Sequence, residues 1–184
     1  MKFPLRSLAC AALLVLPLAA QMASRAVPPA TAGGSAPMVS ISNLNLIERA
    51  CDDRLRGIGE PNTVDILGAT RGLDLDGYGV VFTAEVGLVT PPAVYPFHPA
   101  ITPQEKLQVH QKKLQRLPVL RKTMQEILRS AASSLAAVPD TQQIVLAVRL
   151  DYMKWEDATG LPAMILMKAD RKSALSGSIT VEEQ

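Results

Sequence analysis

The chain has 184 residues, of which 48% are apolar and 20% are charged. This composition is typical of a globular protein and excludes a mainly disordered chain. The length fits one domain, and the formal net charge of +2 excludes a strongly basic or strongly acidic protein.

The first 26 residues predict a secretory signal peptide. Lys2 and Arg6 precede an apolar run over residues 8–20, and the small residues Ser24 and Ala26 mark a cleavage site after Ala26. The run is too short for a membrane span, which needs about 20 apolar residues.

Cleavage after Ala26, with Ala20 and Ala23 as alternative sites, removes Cys10 and leaves Cys51 as a single cysteine, which excludes an internal disulfide. The remaining 158 residues carry 16 basic and 17 acidic side chains, a net charge of −1. Because nucleic-acid binding is driven largely by phosphate neutralisation, we expect no nucleic-acid partner. We expect an exported protein, periplasmic or extracellular, that contacts a membrane only through the signal peptide or a weak surface association.

Residues 27–41 predict a flexible linker, because they are rich in Pro, Ala and Gly and carry no charge. A helix is predicted over residues 41–56, with Ser42 or Asn43 as its N-cap and Gly57 at its end. Its apolar residues lie at helical spacing and form one buried stripe: Leu44, Ile47, Cys51 and Leu55.

Residues 64–89 predict a β-hairpin, because Asp76-Gly77 stands between two alternating segments and is typical of a two-residue turn. Pairing residues whose numbers sum to 153 collects the apolar side chains on one face: Leu67, Ala69, Leu73, Leu75, Tyr78, Val80, Phe82, Ala84, Val86 and Leu88. Arg71 is the one charge on this face, opposite Phe82. It is interpreted as a partner for a carboxylate such as Asp65, or as an anion-binding residue.

Residues 90–101 predict a loop, because four prolines exclude a helix or a central strand. Thr102, Pro103 and Glu105 then form a capping box that starts a helix extending to about residue 137, and Pro118 predicts a kink or break in it. This helix is basic, which indicates a solvated face or a contact with anionic lipid or an acidic partner.

Two further strands are predicted over residues 144–152 and 163–169, and residues 176–184 predict a short edge strand or a frayed tail. We therefore expect one α+β domain over residues 42–178 and a C-terminal tail over residues 179–184. Its sheet is expected to be antiparallel, with about four strands, element order α-β-β-α-β-β and helices packed on one face.

No segment predicts a metal, cofactor or catalytic site. The spacing from Asp74 to Glu85 resembles that of a calcium loop, but an extended strand separates Gly79 from Glu85 by about 20 Å. His98 and His110 are the two histidines of the chain, and they lie on different elements. The sequence contains no nucleotide-binding or zinc-protease motif.

The residues that we single out for binding lie mainly on two loops. Large aromatic side chains on loops are common at binding surfaces. The candidate interaction residues are Tyr95, Phe97, His98, Trp155, Glu156, Asp157 and the strand residue Arg71.

The segment Leu75-Asp76-Gly77-Tyr78-Gly79-Val80-Val81-Phe82, together with Trp155-Glu156-Asp157, resembles a group of uncharacterised secreted bacterial proteins. The shared hairpin motif is L-x-G-Y-G-x-x-F. No activity is known for that group, so the resemblance implies one compact exported domain and no particular function.

The sequence thus predicts an exported, non-catalytic binding domain whose partner is an envelope protein or another copy of the chain. The alternative is a secreted hydrolase whose site is assembled from scattered side chains. The candidates for that site are Asp151, Glu156, Asp157 and His98.

Overall fold

The computed structural model describes residues 39–59, 64–97 and 100–184. The described elements are, in chain order, α1 (Ile41–Arg56), β1 (Asp65–Leu75), β2 (Gly79–Gly87), α2 (Pro103–Ser134), β3 (Gln143–Leu150), β4 (Met164–Asp170), α3 (Arg171–Ser176) and β5 (Thr180–Glu183). The predicted signal peptide, most of the predicted linker and His98 lie outside the described residues.

The five described strands form one sheet in the order β1-β2-β3-β4-β5. The predicted α+β class is confirmed, but the sheet is mixed, because β2 and β3 are parallel whereas the other neighbours are antiparallel. The connection through α2 explains this difference, since a long helix returns the chain to the end of the sheet from which β2 started. Of the two alternatives predicted for residues 176–184, the structure has the edge strand: β5 pairs with β4, which makes five strands instead of about four.

The helices cover one face of the sheet. Alternate residues of β2 and β3 are buried on that face and belong to the same hydrophobic cluster as the apolar stripes of α1 and α2. The buried strand residues are Val80, Phe82, Ala84 and Val86 in β2, and Ile144, Leu146, Val148 and Leu150 in β3. The opposite side of the sheet, which we call the outer face, carries the residues between them.

Helix α1 has the predicted bounds, but its N-cap lies two residues before the nearer of the two predicted caps. Ser40 is the N-cap, and its Oγ accepts a hydrogen bond of 3.2 Å from the backbone N–H of Asn43, so neither Ser42 nor Asn43 serves as the cap. Three polar residues close together make the cap ambiguous in sequence. Cys51 is buried on the apolar stripe and Gly57 ends the helix, as predicted.

Helix α2 begins as predicted, but it runs through Pro118 without the predicted break. The capping box of Thr102 and Glu105 is confirmed. The helix continues without a break through Pro118 to Ser134, so a break at the proline is wrong. Pro118 is exposed, and water can therefore bind the carbonyl groups that its ring leaves without a donor.

The β1–β2 hairpin forms, but in a different register from the predicted one. Leu75 pairs with Gly79 across a three-residue turn, and the pairs nearest the turn sum to 154 instead of 153. Gly77 and Gly79 both have positive φ, 72° and 130°, which permits the longer turn. Gly79 also packs directly on Gln143, where a Cβ would lie 2.0 Å from the carbonyl oxygen.

The change of register directs the opposite set of β1 side chains toward the core. Its inward residues near the turn are Thr70, Gly72 and Asp74, while Leu73 and Leu75 lie on the outer face. Gly72, rather than Arg71, is opposite Phe82, and Arg71 pairs with Thr83. Two irregularities, between residues 66 and 68 and between 68 and 71, shift the pairing again, so that Ile66 is paired with Val86 at the far end of the hairpin.

Candidate binding surface at the loop end of the sheet

Two loops leave the sheet at the same end. Because β2 and β3 are parallel and adjacent, their carboxyl ends meet, and the segments 88–97 and 151–163 both begin there. We call this region the loop end. Ligands of sheets with parallel strands are commonly bound outside the carboxyl ends of those strands. The topology thus brings together the two aromatic loops that the sequence singled out.

The first loop presents apolar side chains to solvent. Val94 and Tyr95 are more than half exposed, and Phe97 is 96% exposed. We call the segment 94–97 the aromatic tip. Pro96 lies inside it, which limits the conformations of its backbone. Burying a phenylalanine side chain contributes about 1.5–3 kcal/mol relative to leaving it in water.

The second loop, residues 151–163, is fastened to α2 by a buried ion pair, and we call it the supporting loop. Lys113 and Glu156 have side chains that are 2% and 3% exposed, and the Lys113 ammonium contacts the Glu156 carboxylate directly. Lys113 Nζ also donates to the carbonyl of Asp151 at 3.2 Å and lies 4.7 Å from the centre of the Tyr152 ring. Each charge therefore has polar or aromatic partners in place of water.

Further contacts hold the same loop. The Tyr152 hydroxyl donates to the carbonyl of Pro162 at 2.7 Å, and burial together with the Glu156 charge raises the pKa of Tyr152 to about 12. The phenol is therefore a protonated donor at neutral pH. His110 Nδ1 lies 2.8 Å from the carbonyl oxygen of Asp157, and Trp155 packs against the hydrophobic core.

The predicted residues on the supporting loop are thus held by contacts within the protein. Asp157 is exposed, and a hydrogen bond from Thr159 lowers the pKa of its carboxyl group. Glu156 is engaged by Lys113, whereas Asp151 contributes its backbone carbonyl. Of the acidic side chains proposed for a hydrolase, those of Glu156 and Asp157 therefore contact different partners. Among the described residues, no group of three or more His, Cys, Asp or Glu side chains could hold a metal ion.

Arg71 lies apart from the loop end. Its side chain is largely exposed, and its guanidinium is 3.9 Å from the carboxylate of Glu48, a partner on α1 instead of the suggested Asp65. The structure therefore does not bring Arg71 together with Tyr95, Phe97 or Trp155.

Two acidic residues of α1 that the sequence analysis did not single out bind the edge strand β1. Asp52 Oδ1 accepts hydrogen bonds from the backbone N–H and the hydroxyl of Thr70, at 2.9 and 2.7 Å. Glu48 Oε1 accepts from the N–H of Gly72 at 2.7 Å. Two residues four positions apart on a helix are separated by about 6 Å along its axis, which matches the distance between residues i and i+2 of a strand. The sequence signal for this contact was the spacing of Glu48 and Asp52 beside the apolar stripe of α1.

The basic surface of α2 is smaller than its sequence suggests. Lys113 is buried, Arg116 donates to the carbonyls of Leu88 and Gly59, and Arg121 forms two hydrogen bonds to Glu183, at 2.6 and 2.8 Å. These cations fasten neighbouring segments to the helix. They are therefore not available as a continuous surface for an anionic partner.

A cavity of about 160 Å³ lies between α1 and α2, with Cys51 in its lining. Burial raises the pKa of the Cys51 thiol to about 12. Since the thiolate is the nucleophile, this cysteine is a packing residue at neutral pH.

No family model, no curated protein and no solved structure matches the chain. The resemblance to secreted bacterial proteins therefore stays a prediction, and function has to be inferred from the geometry. Among the helices of the described residues, none has the length and hydropathy of a membrane span.

Proposed function

We propose that the protein is an exported, non-catalytic binding domain that contacts a partner protein of the cell envelope or the extracellular space through its aromatic tip. The exposure of Phe97 carries this proposal, because a free phenylalanine side chain at a loop tip gains stability only when another surface covers it.

The surroundings of the aromatic tip favour binding. Pro96 restricts the backbone between Tyr95 and Phe97, so less conformational entropy is lost when a partner orders the tip. The supporting loop begins at the same end of the sheet and is fixed by the Lys113–Glu156 ion pair. Aromatic side chains are among the residues that most often dominate the free energy of protein association.

The sequence features of residues 1–26 support the assignment to an exported protein. We expect export to be accompanied by cleavage after Ala26, and mass spectrometry of the protein from the organism of origin should find a chain that begins at Val27. A chain that retains Met1–Ala26 and fractionates with the cytosol would contradict export.

Site-specific photocrosslinking tests the binding surface. A benzophenone amino acid replaces Phe97 in the full chain expressed in the organism of origin, and the matched control carries it at Val119, an exposed apolar position on α2. We expect one defined adduct from position 97 that Tyr95→Ser weakens, and no such adduct from position 119. Equal labelling from both positions, or none from position 97, would overturn the proposal.

A further inference from the structure

The space between α1 and α2 is incompletely filled, and a cavity of about 160 Å³ remains there. Small side chains line it on both helices: Ala50 on α1, and Ser130, Ala131 and Ser134 on α2. Protein interiors are close-packed, and cavities larger than a water molecule are few. An engineered apolar cavity of about 150 Å³ binds benzene, so this one has room for a single aromatic ring.

This space, which we call the interhelical cavity, has an apolar floor and a mouth that carries one charge. The floor residues are each at most 6% exposed, and they are Ile47, Cys51, Ile127 and Ala131. At the mouth lie the exposed residues Leu46 and Arg54. Sites for small molecules are typically apolar concavities with a small number of polar groups that orient the ligand. The interhelical cavity has this composition.

Arg54 is held across the mouth of the interhelical cavity by two contacts with α2. Its Nη1 donates to the carbonyl oxygen of Glu126 at 3.1 Å, and its Nη2 donates to the hydroxyl of Ser130 at 3.2 Å. A guanidinium has five N–H donors in a fixed planar arrangement, and these contacts use two of them. The side chain is therefore positioned at the mouth and keeps donors for a further acceptor.

The acidic residues of α1 do not form an ion pair with Arg54. Asp53 is bound to Arg56 at 3.0 Å, and Asp52 and Glu48 accept backbone N–H groups of β1. Among the described residues, no carboxylate lies within ion-pair distance of the Arg54 guanidinium. An anion at the mouth would therefore meet a cation whose charge is not already paired.

The charges of the mouth and the floor favour a carboxylate joined to an apolar group. A carboxylate carries one negative charge, and its two oxygens can accept two parallel N–H donors of arginine. Burial raises the pKa of the Cys51 thiol to about 12, so the floor carries no charge at neutral pH. The floor therefore suits the apolar part of a ligand, and Arg54 suits its anionic end.

We infer that the interhelical cavity binds a small monocarboxylic acid, whose apolar part lies on the floor between α1 and α2 and whose carboxylate is bound by Arg54. The size of the cavity limits the apolar part to about one aromatic ring. This inference is independent of the aromatic tip. The cavity borders residues 127–134 of α2, whereas the supporting loop is held by Lys113, nearer the start of that helix.

Titration of the mature chain with benzoate, followed by heteronuclear NMR, tests the site. We expect saturable shifts of amide resonances that are largest at Ile47, Cys51 and Ala131, with a dissociation constant of about 1 mM or lower. Benzamide has the same ring without the charge, and we expect it to bind about tenfold more weakly. Arg54→Gln should remove this difference, whereas the matched control Arg49→Gln, at an exposed arginine of α1 outside the lining, should preserve it.

A cavity-filling variant tests the floor independently. Ala131→Leu should occupy the space and abolish the shifts that benzoate causes, and circular dichroism establishes that the variant is folded. If it unfolds, Ala50→Phe at the exposed rim of the cavity provides the same test without altering a buried residue. Shifts that do not saturate, or that lie away from the lining, would overturn the inference. Equal affinity for benzoate and benzamide, or binding that neither Arg54→Gln nor the cavity-filling variant weakens, would also overturn it.

Discussion

The aromatic tip and the supporting loop leave the sheet side by side, and both contain aromatic and polar residues in a short stretch of chain. In the supporting loop, Trp155 packs on the core and Glu156 is in a buried ion pair. In the aromatic tip, Phe97 is almost entirely exposed. The difference shows that composition alone does not identify a binding loop. Contacts with α2 make the supporting loop part of the framework, whereas the aromatic tip leaves Phe97 exposed.

Removing Lys113 should have the largest effect on this arrangement. Lys113→Met leaves Glu156 buried without its counter-charge, which should lower the free energy of unfolding by about 3–5 kcal/mol. Urea unfolding followed by circular dichroism measures the change. The control Lys112→Met alters the exposed neighbour and should cost less than about 0.5 kcal/mol. Equal effects would show that the ion pair does not hold the supporting loop.

Truncation of Trp155 should have a smaller effect on stability. Trp155→Ala removes a partly buried ring from the edge of the core and should lower the free energy of unfolding by about 2–3 kcal/mol. If the variant instead keeps full stability and loses partner capture, Trp155 belongs to the contact surface and the distinction between the two loops fails.

The titration of the Tyr152 phenol should show that this part of the supporting loop is buried. Its pKa is raised from 10.0 to about 12 in the folded chain, so folding favours the protonated phenol. That stabilisation is complete below pH 10 and is lost as the pH rises toward 12. We expect Tyr152→Phe to be less stable by about 1 kcal/mol at neutral pH, through loss of the hydrogen bond to Pro162, and to show a weaker decline between these pH values. An unchanged alkaline profile would contradict this.

Substitution of Phe97 should affect stability least. Phe97→Ser changes a side chain that is almost fully solvated, so the free energy of unfolding should remain within about 0.5 kcal/mol of the original. Partner crosslinking from a nearby position, such as Val94, should nevertheless be lost. A destabilisation comparable to that of Trp155→Ala would mean that the aromatic tip also packs on the framework.

The sequence was sufficient to predict the caps, helices and strands that have strong local signals. The capping box at Thr102, the apolar stripe of α1 and a strand over residues 163–169 follow from residue type and spacing, and the structure has all three, with the strand at Met164–Asp170. The hairpin register was not predictable, because two glycines near the turn permit both a two-residue and a three-residue connection. The parallel pairing of β2 and β3 is a tertiary property that neither strand encodes locally.

The sequence predicted that the candidate residues lie on loops, but not what their side chains contact. Tyr95, Phe97 and Trp155 do lie on loops, yet only tertiary contacts distinguish exposed from buried aromatic rings. Lys113 looked like one more cation on a basic helix, and its partner Glu156 is 43 residues away along the chain. Pairs so distant in sequence cannot be recognised from helical spacing.

The carboxylates of α1 along the edge of β1 have a consequence for the behaviour of the unfolding chain. An open strand edge is a template for pairing with other molecules, and Thr70 and Gly72 would offer two free amide groups to it. Asp52 and Glu48 occupy those amides, so an incoming strand meets acceptors where it needs donors. Detachment of α1 would therefore expose both amides of β1 to pairing with another strand.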